Sequence, residues 1–581
     1  MGYGAAMERP WLRQYEAGVP STLSYPDVPL PQFLIDTASR YPERTALEFY
    51  GRRIPYRQLN SLTDRLAQAL VRLGIRKGDR VALMMPNCPQ AVIGYFGALK
   101  AGAWVVAINP LYLGPEVERQ VTDAGAETMI ALDLFYERIE EVRTRTPLKR
   151  IILTRVSDYL PWLKRLLYPI KARGRGQWVD VPRVPPLYDF CSLLRAAPAK
   201  PPSVPVSVDD IALLQYTGGT TGVPKGAMLT HRNLIANAIQ CLRWMQGLRD
   251  GEEVFLGVLP FFHIYGMTTC QNLATLLGGT IILLPRFQPD EVLKAIAAHR
   301  VTVFPGIPAM YMALANHPRV GAYDLTYLRL CISGAGPLYA EVQDRFEKLT
   351  GARLIEGYGL TEAGPVTHCN PPVGQRHSSC IGLPLPDTEA RVVDPETGNP
   401  VAAPEDGGEL QVRGPQVMKG YWRQEAETAA VLRDGWLSTG DLVRMDRDGF
   451  FFILDRKKDM IKSGGFNVYP RELDECLCGH PKVKEACVVG IPQDMRGEKI
   501  KAFVVLKEGM SATSTEILEY CRQRLAKFKV PKSVEFRVEL PKTLIGKVLR
   551  RKLLEEELKR AVLGPGVASA DSKHEAQGDR H

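Results

Sequence analysis

The sequence predicts an α/β protein of more than one compact unit, and three observations carry that reading. Residues 30 to 150 alternate helical patterns with short β-branched or apolar runs, and residues 211 to 365 repeat the alternation. From about 380 the texture changes to Gly/Pro turns and short alternating strands. A chain of 581 residues also exceeds one ordinary domain, and its 45% apolar and 24% charged residues are globular proportions.

In chain order, RQLNSLTDRLAQALVRLGI (57–75) spaces its apolar residues near 3.6 and closes on Gly74, so a helix is predicted. RKGDRVALMM then supplies a turn and a strand, and AVIGYFGALKAGAWVVAIN reads as helix, glycine break and buried strand. This β-α-β rhythm predicts a parallel sheet. In the second block IALLQY, FLGVLP, TIILLP, VTVFPGI, LRLCISG and ARLIEGY read as strands, mostly followed by helical segments. GELQVRGPQVMKGYW and LVRMDRDGFFFIL predict a small β-rich subdomain over about 380–455. After DRKKDMIKSGG, the helix-like PRELDECLCGH, the strands VKEACVVGI and KAFVVL, and the helix TEILEYCRQRLA predict an α+β unit of about a hundred residues. The closing GPGVASADSKHEAQGDRH has almost nothing to bury and is expected to be disordered.

The net charge of +10 suits polyanionic small molecules or an anionic membrane as well as nucleic acid. No aromatic-interleaved arginine stripe accompanies it, so no nucleic-acid partner is expected. Eleven scattered cysteines without a C-x-x-C pair, the closest being Cys476 and Cys478, suggest neither a zinc ribbon nor a disulfide framework. A reducing cytoplasm is the expected home. The first residues lack an apolar signal core, and Ala6 stands where a myristoylation signal wants Ser or Thr. No apolar run approaches the roughly 18 residues of a membrane span. One segment, DYLPWLKRLLYPIKARGRGQW (158–178), sets Lys164, Arg165, Lys171, Arg173 and Arg175 against Trp162, Leu163, Leu166, Leu167, Tyr168 and Ile170. Such a stretch can lie in a membrane interface. The alternative is a mobile loop with its apolar side on its own protein, in which Pro169 shortens any helix.

The chemistry-bearing stretches begin with YTGGTTGVPKGAMLTH (216–231). It fails the phosphate-loop template, because Lys225 is preceded by Pro224 and followed by Gly226. Backbone N–H groups at Gly218, Gly219 and Gly222 could still wrap an anion, with threonine hydroxyls and Lys225 contributing; the plain alternative is a flexible surface loop. In EGYGLTEAG, Tyr358 offers a stacking face for a purine, Thr361 a phosphate donor and Glu362 an oxygen ligand for magnesium, against the alternative of a helix N-cap. In WLSTGDLVRMD, Asp441 is expected on an exposed turn, where it accepts ribose hydroxyls or is only a turn residue. DRKKDMIKSGGFNVYP reads as a charged linker with mobile glycines, and Gly546 and Lys547 fall in a basic stretch that by itself is a nonspecific tail.

Together and in this order, YTGGTTGVPKG, GYGLTE, STGDL, DRKKDMIKSGGFNVYP and PKTLIGKVLRR resemble the adenylate-forming superfamily of acyl-CoA synthetases, luciferases and adenylation domains. The resemblance covers residues from about 30 to 560 and is nearest to bacterial long-chain fatty-acid:CoA ligases. It implies a large N-terminal domain of two α/β sheets plus a β-barrel (1–455) and a small mobile α+β C-terminal domain (456–563), with 564–581 as tail. It implies that a fatty acid, ATP and magnesium give acyl-AMP and pyrophosphate, and that CoA then takes the acyl group. Thr217, Gly218, Gly219, Thr220, Thr221, Gly222 and Lys225 would hold phosphates, with Thr221 also near the metal. Ser333, Gly334, Ala335, Gly336 and Pro337 would line adenine, with Tyr358 and Gly359 beside it; Thr361 would touch the α-phosphate and Glu362 the metal. Asp441 and Arg456 would hold ribose, Lys547 would be the catalytic lysine and Lys458 the hinge. Lys462, Ser463, Gly464 and Gly465 would border the CoA channel, and His263 would sit near the carboxylate.

Two departures stand in the resemblance. Met267 occupies the position where some long-chain enzymes place a tryptophan gate, with Tyr265 close by. Ala335 stands where glycine is frequent, a change expected to be harmless. Medium-chain or aryl acid:CoA ligation, loading of a carrier protein, a luciferase-like oxygenase and a noncatalytic lipid-binding protein remain the alternatives on the same fold. Peripheral contact with the inner face of a membrane through 158–178, and a homodimer, are expectations the residues leave open.

Overall fold

The computed structural model describes residues 9–174, 178–182, 184–217, 224–377, 379–463, 466–493, 497–542 and 548–563. Two compact units emerge: Met1–Ala390 with Gln411–Ser438 and Arg447–Phe450, and Arg391–Leu410 with Thr439–Asp446 and Phe451–His581.

The first unit is built on two mainly parallel sheets. One has eight strands in the order Gly420–Tyr421, Lys225–Thr230, Ile211–Thr217, Trp104–Ile108, Arg80–Met84, Thr128–Leu132, Arg150–Thr154 and Leu187–Asp189. The other has nine, running Leu383–Pro384, Val366–Cys369, Arg353–Gly359, Leu330–Ser333, Val303–Gly306, Val254–Gly257, Thr280–Leu283, Thr45–Phe49 and Arg52–Pro55. All six strands expected in the second block are present, but sequence and space are interleaved. Ile211–Thr217 joins the first sheet, with Val105 opposite Leu213, while Thr45–Phe49 joins the second, with Leu47 opposite Ile281.

Helices cover the sheets, which is why the central strands read as continuous apolar runs. Thr128–Leu132 is buried at every residue, and the helix Pro89–Lys100 is buried almost throughout. That helix lies against Tyr56–Arg72 at Gly97, where a Cβ would come within 2.7 Å of Leu66, so only glycine permits the approach. Asn87 ties the two sheets together: its amide donates to the carbonyls of Gly257 and Leu259 at 2.9 and 2.7 Å, and its oxygen accepts from the Phe261 N–H at 2.8 Å. A buried amide with its partners satisfied specifies one arrangement of its neighbours.

Trp436–Met445 crosses the division between units. Its start pairs with Leu432–Arg433 in the first, and its end pairs with Phe451–Arg456 in the second. These strands, with Glu389–Val393 and Gly408–Arg413, form the expected β-rich region, in which Trp436–Met445 pairs antiparallel with both Leu432–Arg433 and Phe451–Arg456. The second unit's other sheet centres on Val483–Gln493 and Gly497–Leu506. Along the latter, Ile500, Ala502 and Val504 face one core with Leu473, Leu477 and Ile517, while Phe503 and Val505 face another with Leu540 and Leu553. Period-two alternation thus covers both faces, with the helices Pro470–Cys478 and Ser514–Arg522 in the first core and Arg550–Leu563 in the second. Residues 158–178 hold a helix, Trp162–Gly174, that runs through Pro169 rather than stopping before it.

Candidate active site

In the first unit the predicted residues gather at the carboxyl ends of strands, where ligands of open α/β sheets bind. Thr217 ends Ile211–Thr217, Ser333 ends Leu330–Ser333, and Tyr358 and Gly359 end Arg353–Gly359. Gly218, Gly219, Thr220, Thr221 and Gly222 lie outside the described residues, but the strands on either side of them are paired, Thr217 opposite Lys225.

Lys225 and Glu362 come together through a residue the sequence reading did not single out. Gly420–Tyr421 pairs antiparallel with Lys225–Thr230, placing Tyr421 opposite Ala227. The Lys225 ammonium then lies 5.2 Å from the centre of the Tyr421 ring, and the Tyr421 hydroxyl donates to Glu362 Oε1 at 2.7 Å. Burial and the neighbouring Glu362 push the Tyr421 hydroxyl well above the usual phenol range, so it remains a donor. The backbone fixes the same contact, since the Met418 N–H donates to the Glu362 carbonyl at 2.8 Å. Lys225 also pairs with Glu427. The only signal for Tyr421 and Glu427 was the aromatic pair in MKGYW, followed by acidic residues.

The EGYGLTEAG stretch is held by close backbone approach. A Cβ on Gly359 would fall 1.9 Å from the Pro365 carbonyl oxygen, so no other residue fits. Tyr358 is half-buried with its ring edge-on to His368 at 5.8 Å. Thr361–Ala363 forms a single 3₁₀ turn capped by Leu360, so Thr361 is not the N-cap that its sequence setting offered as an alternative. In the adenine-lining candidates, Ser333 Oγ is buried with no hydrogen-bond partner among the described residues, as expected of a group kept for a ligand. Gly334 is forced by Tyr265, whose ring would lie 2.9 Å from an added Cβ. Tyr265 itself is fixed by donating to the carbonyls of Ile332 and Gly306 at 2.9 and 3.1 Å. Ala335 has φ +66°, so its methyl group is carried in a left-handed conformation at about 1–2 kcal/mol, and the replacement of glycine is not free. Gly336 and Pro337 follow, half-buried.

His263 caps the helix that begins at Ile264, its Nδ1 accepting from the Tyr265 N–H at 3.2 Å. Burial lowers its pKa to about 4, so the ring is neutral at pH 7. The helix continues as a π-helical turn, Met267–Asn272, a distortion frequent at functional sites. Met267 and Gln271 of this turn, with Leu83, Met85, Tyr95, Ala107 and Phe261, line a small, partly open, mainly apolar recess. The amide nitrogen of Gln271 is buried with no hydrogen-bond partner among the described residues.

In the second unit Asp441 is not on an exposed turn. It lies in Trp436–Met445, is only 6% exposed, and pairs in register with Arg456, whose Nε is 3.1 Å from Asp441 Oδ1. The turn signal of STGD was outweighed by the strand to which it belongs. Nor is the charge run a mere solvated linker: Asp455 is buried, and Lys457 pairs with Glu409 at 2.9 Å. Lys458 is exposed in the turn between Arg456 and Ile461, and the Lys462 N–H donates to Glu498 at 2.7 Å. Ser463 ends the strand Ile461–Ser463, while Gly464, Gly465 and Lys547 lie outside the described residues. Three residues past Lys547, Arg550 reaches Asp474 at 2.5 Å, Asp459 at 3.2 Å and Asp455 at 3.9 Å.

Magnesium binds nucleotide enzymes through one or two carboxylates plus phosphate oxygens rather than an all-protein cage. Among the described residues no cluster of three or more His, Cys, Asp or Glu could hold an ion. A half-buried Glu362, oriented by Tyr421, fits the single-carboxylate pattern.

Strand-end glycines, a lysine and a carboxylate joined through one tyrosine, and a neighbouring apolar recess define an enzyme that brings a nucleotide to an apolar substrate. The chain belongs to the AMP-binding enzyme family: the model described as AMP-binding enzyme matches residues 34–422, and that described as AMP-binding enzyme C-terminal domain matches 472–547. Its relatives narrow the class. A long-chain-fatty-acid--CoA ligase of Bacillus subtilis (strain 168) is 48% identical over 553 residues, 95% of this chain and 98% of that protein. One of Yersinia pestis is 42% identical over 560 residues, 95% and 99% of the two chains. Among solved structures, ATP-bound MatB from Rhodopseudomonas palustris is 31% identical, with a TM-score of 0.81 over 92% of this chain and 100% of that one.

Proposed function

We propose that this chain is an ATP-dependent long-chain fatty acyl-CoA synthetase. The observation that carries the reading is the Lys225–Tyr421–Glu362 arrangement at the strand ends of a chain that matches long-chain-fatty-acid--CoA ligases over nearly its full length. A fatty carboxylate oxygen attacks the α-phosphorus of ATP, the bond to the bridging oxygen breaks, and pyrophosphate leaves. The CoA sulfur, having lost its proton, then attacks the acyl carbonyl and AMP leaves.

Two anions must meet in the first step, so positive charge is needed where negative charge develops. Lys547 supplies it between the carboxylate and the bridging oxygen. Lys225, exchanging Glu427 for phosphate, steadies the β- and γ-phosphates with Thr217, Gly218, Gly219, Thr220, Thr221 and Gly222. Glu362 and Thr221 would hold the magnesium that accompanies ATP, and its charge would offset that of the phosphates. Thr361 touches the α-phosphate; Tyr358, Gly359 and residues 333–337 hold adenine; Asp441 and Arg456 hold ribose. His263 lies near the carboxylate, and its neutral ring avoids an ion pair that would hold the nucleophile back.

In the second step a domain of residues 456–563 turns about Lys458 relative to 1–455, withdrawing Lys547 and bringing Lys462, Ser463, Gly464 and Gly465 beside the CoA thiol. The enzyme works in the cytoplasm, as a monomer or homodimer, and meets its apolar substrate at the inner membrane face.

AMP release measured with ATP and CoA across acids from acetate to oleate tests the reading: activity is expected to rise toward the long chains, and a maximum at short or aromatic acids overturns it. Lys547→Ala is expected to abolish adenylate formation and spare CoA transfer from supplied acyl-AMP. Equal loss of both steps would refute the assignment of Lys547 to the first step alone.

A further inference from the structure

The helix Trp162–Gly174 turns its apolar side away from the protein. Trp162, Leu163, Leu166, Leu167 and Ile170 are all exposed, Trp162 at 77%, Leu166 at 68% and Ile170 at 74%. At about 100° per residue they share an arc of roughly 140°. The opposite side meets the body of the first unit, where Tyr168 is half-buried and Ala172 buried. Fastenings on the body are specific: Lys164 Nζ donates to the Tyr50 carbonyl at 2.7 Å. Beyond the last turn, Trp178 lies between the guanidinium groups of Arg155 and Arg173, 4.2 and 4.7 Å from its ring centre, and Arg155 pairs with Asp133 at 3.0 Å. The helix is thus seated by its polar and aromatic side, and its apolar stripe is presented outward.

Charge selects the occupant. Lys164 and Lys171 border one edge of the stripe, Arg165 borders the other, Arg173 falls within the arc one turn beyond Ile170, and residues 162–174 contain no acidic side chain. Arg52 and Arg53, exposed on the hairpin that receives Lys164, add to the same sign. A second copy docked stripe to stripe about a two-fold axis would bring these cations against one another. An anionic bilayer offers an apolar interior for the stripe and negative headgroups for both edges.

We infer that Trp162–Gly174 is a membrane-docking helix that lies in the plane of an anionic bilayer, with its exposed stripe at the boundary of headgroups and acyl chains. Docking rests on the membrane-face location proposed above, but vesicle binding needs no turnover: its failure withdraws that location and leaves the ligase reaction standing, and failure of the ligase reaction leaves docking intact.

The test is sedimentation with phosphatidylcholine vesicles, with or without about one-third phosphatidylglycerol, in the absence of ATP, acid and CoA. The full-length protein is expected to bind the anionic vesicles, and to lose about tenfold in binding between about 0.1 and 0.5 M salt. Leu166→Glu with Ile170→Glu, both at exposed positions, is expected to weaken binding by about tenfold or more while keeping the wild-type melting temperature and the turnover of a water-soluble short acid. Arg165→Gln with Lys171→Gln is expected to remove the preference for anionic vesicles. No vesicle binding by the wild type, equal binding by the double glutamate variant, or equal binding to pure phosphatidylcholine overturns the inference. A wild-type dimer that those glutamates split, without vesicle binding, assigns the stripe to a second copy instead.

Discussion

Arg550→Met tests how the second unit holds the segment that carries Lys547. Arg550 is one-fifth exposed and faces three carboxylates, Asp474 at 2.5 Å, Asp459 at 3.2 Å and Asp455 at 3.9 Å, while its Nε donates to the Val488 carbonyl at 2.9 Å. Asp474 in turn accepts from the Val488 N–H at 2.7 Å, so the helix Pro470–Cys478, the strand Val483–Gln493 and the helix Arg550–Leu563 meet at one guanidinium. Removing one partner of such a buried cluster costs about 3–5 kcal/mol, because the remaining charges are left uncompensated. For a unit of this size that lowers its melting transition by roughly 6–20 °C.

The pH dependence has a definite sign. Burial pushes the Asp474 carboxyl up to about 7 even though Arg550 pulls it down, against about 4 in an unfolded chain. Without Arg550 the folded value rises further, so the folded variant holds protons that the unfolded chain has released. Its deficit is therefore largest above pH 7 and shrinks as pH falls through the raised value; below about 7 both proteins gain stability in parallel. Calorimetry at several pH values, with adenylate formation measured alongside, checks this. A shift under about 2 °C, or a gap that widens on acidification, would mean the cluster is not a structural junction.

Tyr421→Phe keeps the ring under Lys225 but removes the donor to Glu362, a bond to a charged group worth about 1.5–3 kcal/mol. A tenfold or greater fall in kcat/KM for Mg-ATP, about 1.4 kcal/mol or more, is expected in steady-state kinetics, and an unchanged value would separate Tyr421 from the site. His231 accepts the Leu30 N–H at Nδ1, and burial lowers its pKa to about 4. Because the unfolded value is about 6.5, stability is complete above that pH and is lost as pH falls toward 4, by about 2 kcal/mol at pH 5. His231→Gln is expected to lose that much less stability than wild type between pH 7.5 and 5 in denaturant titrations, and an equal loss would place the acid sensitivity elsewhere. Ala107→Phe intrudes on the recess beside Met267, and the ratio of kcat/KM for oleate over octanoate is expected to drop about tenfold. A constant ratio would remove the recess from the acyl path.

Local patterns in the sequence were enough for element type and for the order of the chemistry-bearing stretches, because helix and strand periods and glycine-dependent turns are properties of neighbouring residues. The strands of both α/β blocks and the placing of Tyr358 at a strand end were legible in this way. Pairing between distant segments was not. Tyr421 reaches Glu362 across 59 residues only because Gly420–Tyr421 adds to the edge of Lys225–Thr230. The expected turn residue Asp441 became a buried strand residue because Arg456 lies opposite it. The helix 162–174 could be read as amphipathic from its residues, but periodicity has no direction. Which side faces the protein was decided by Tyr50, Trp178 and Arg155, contacts that exist only once the chain has folded.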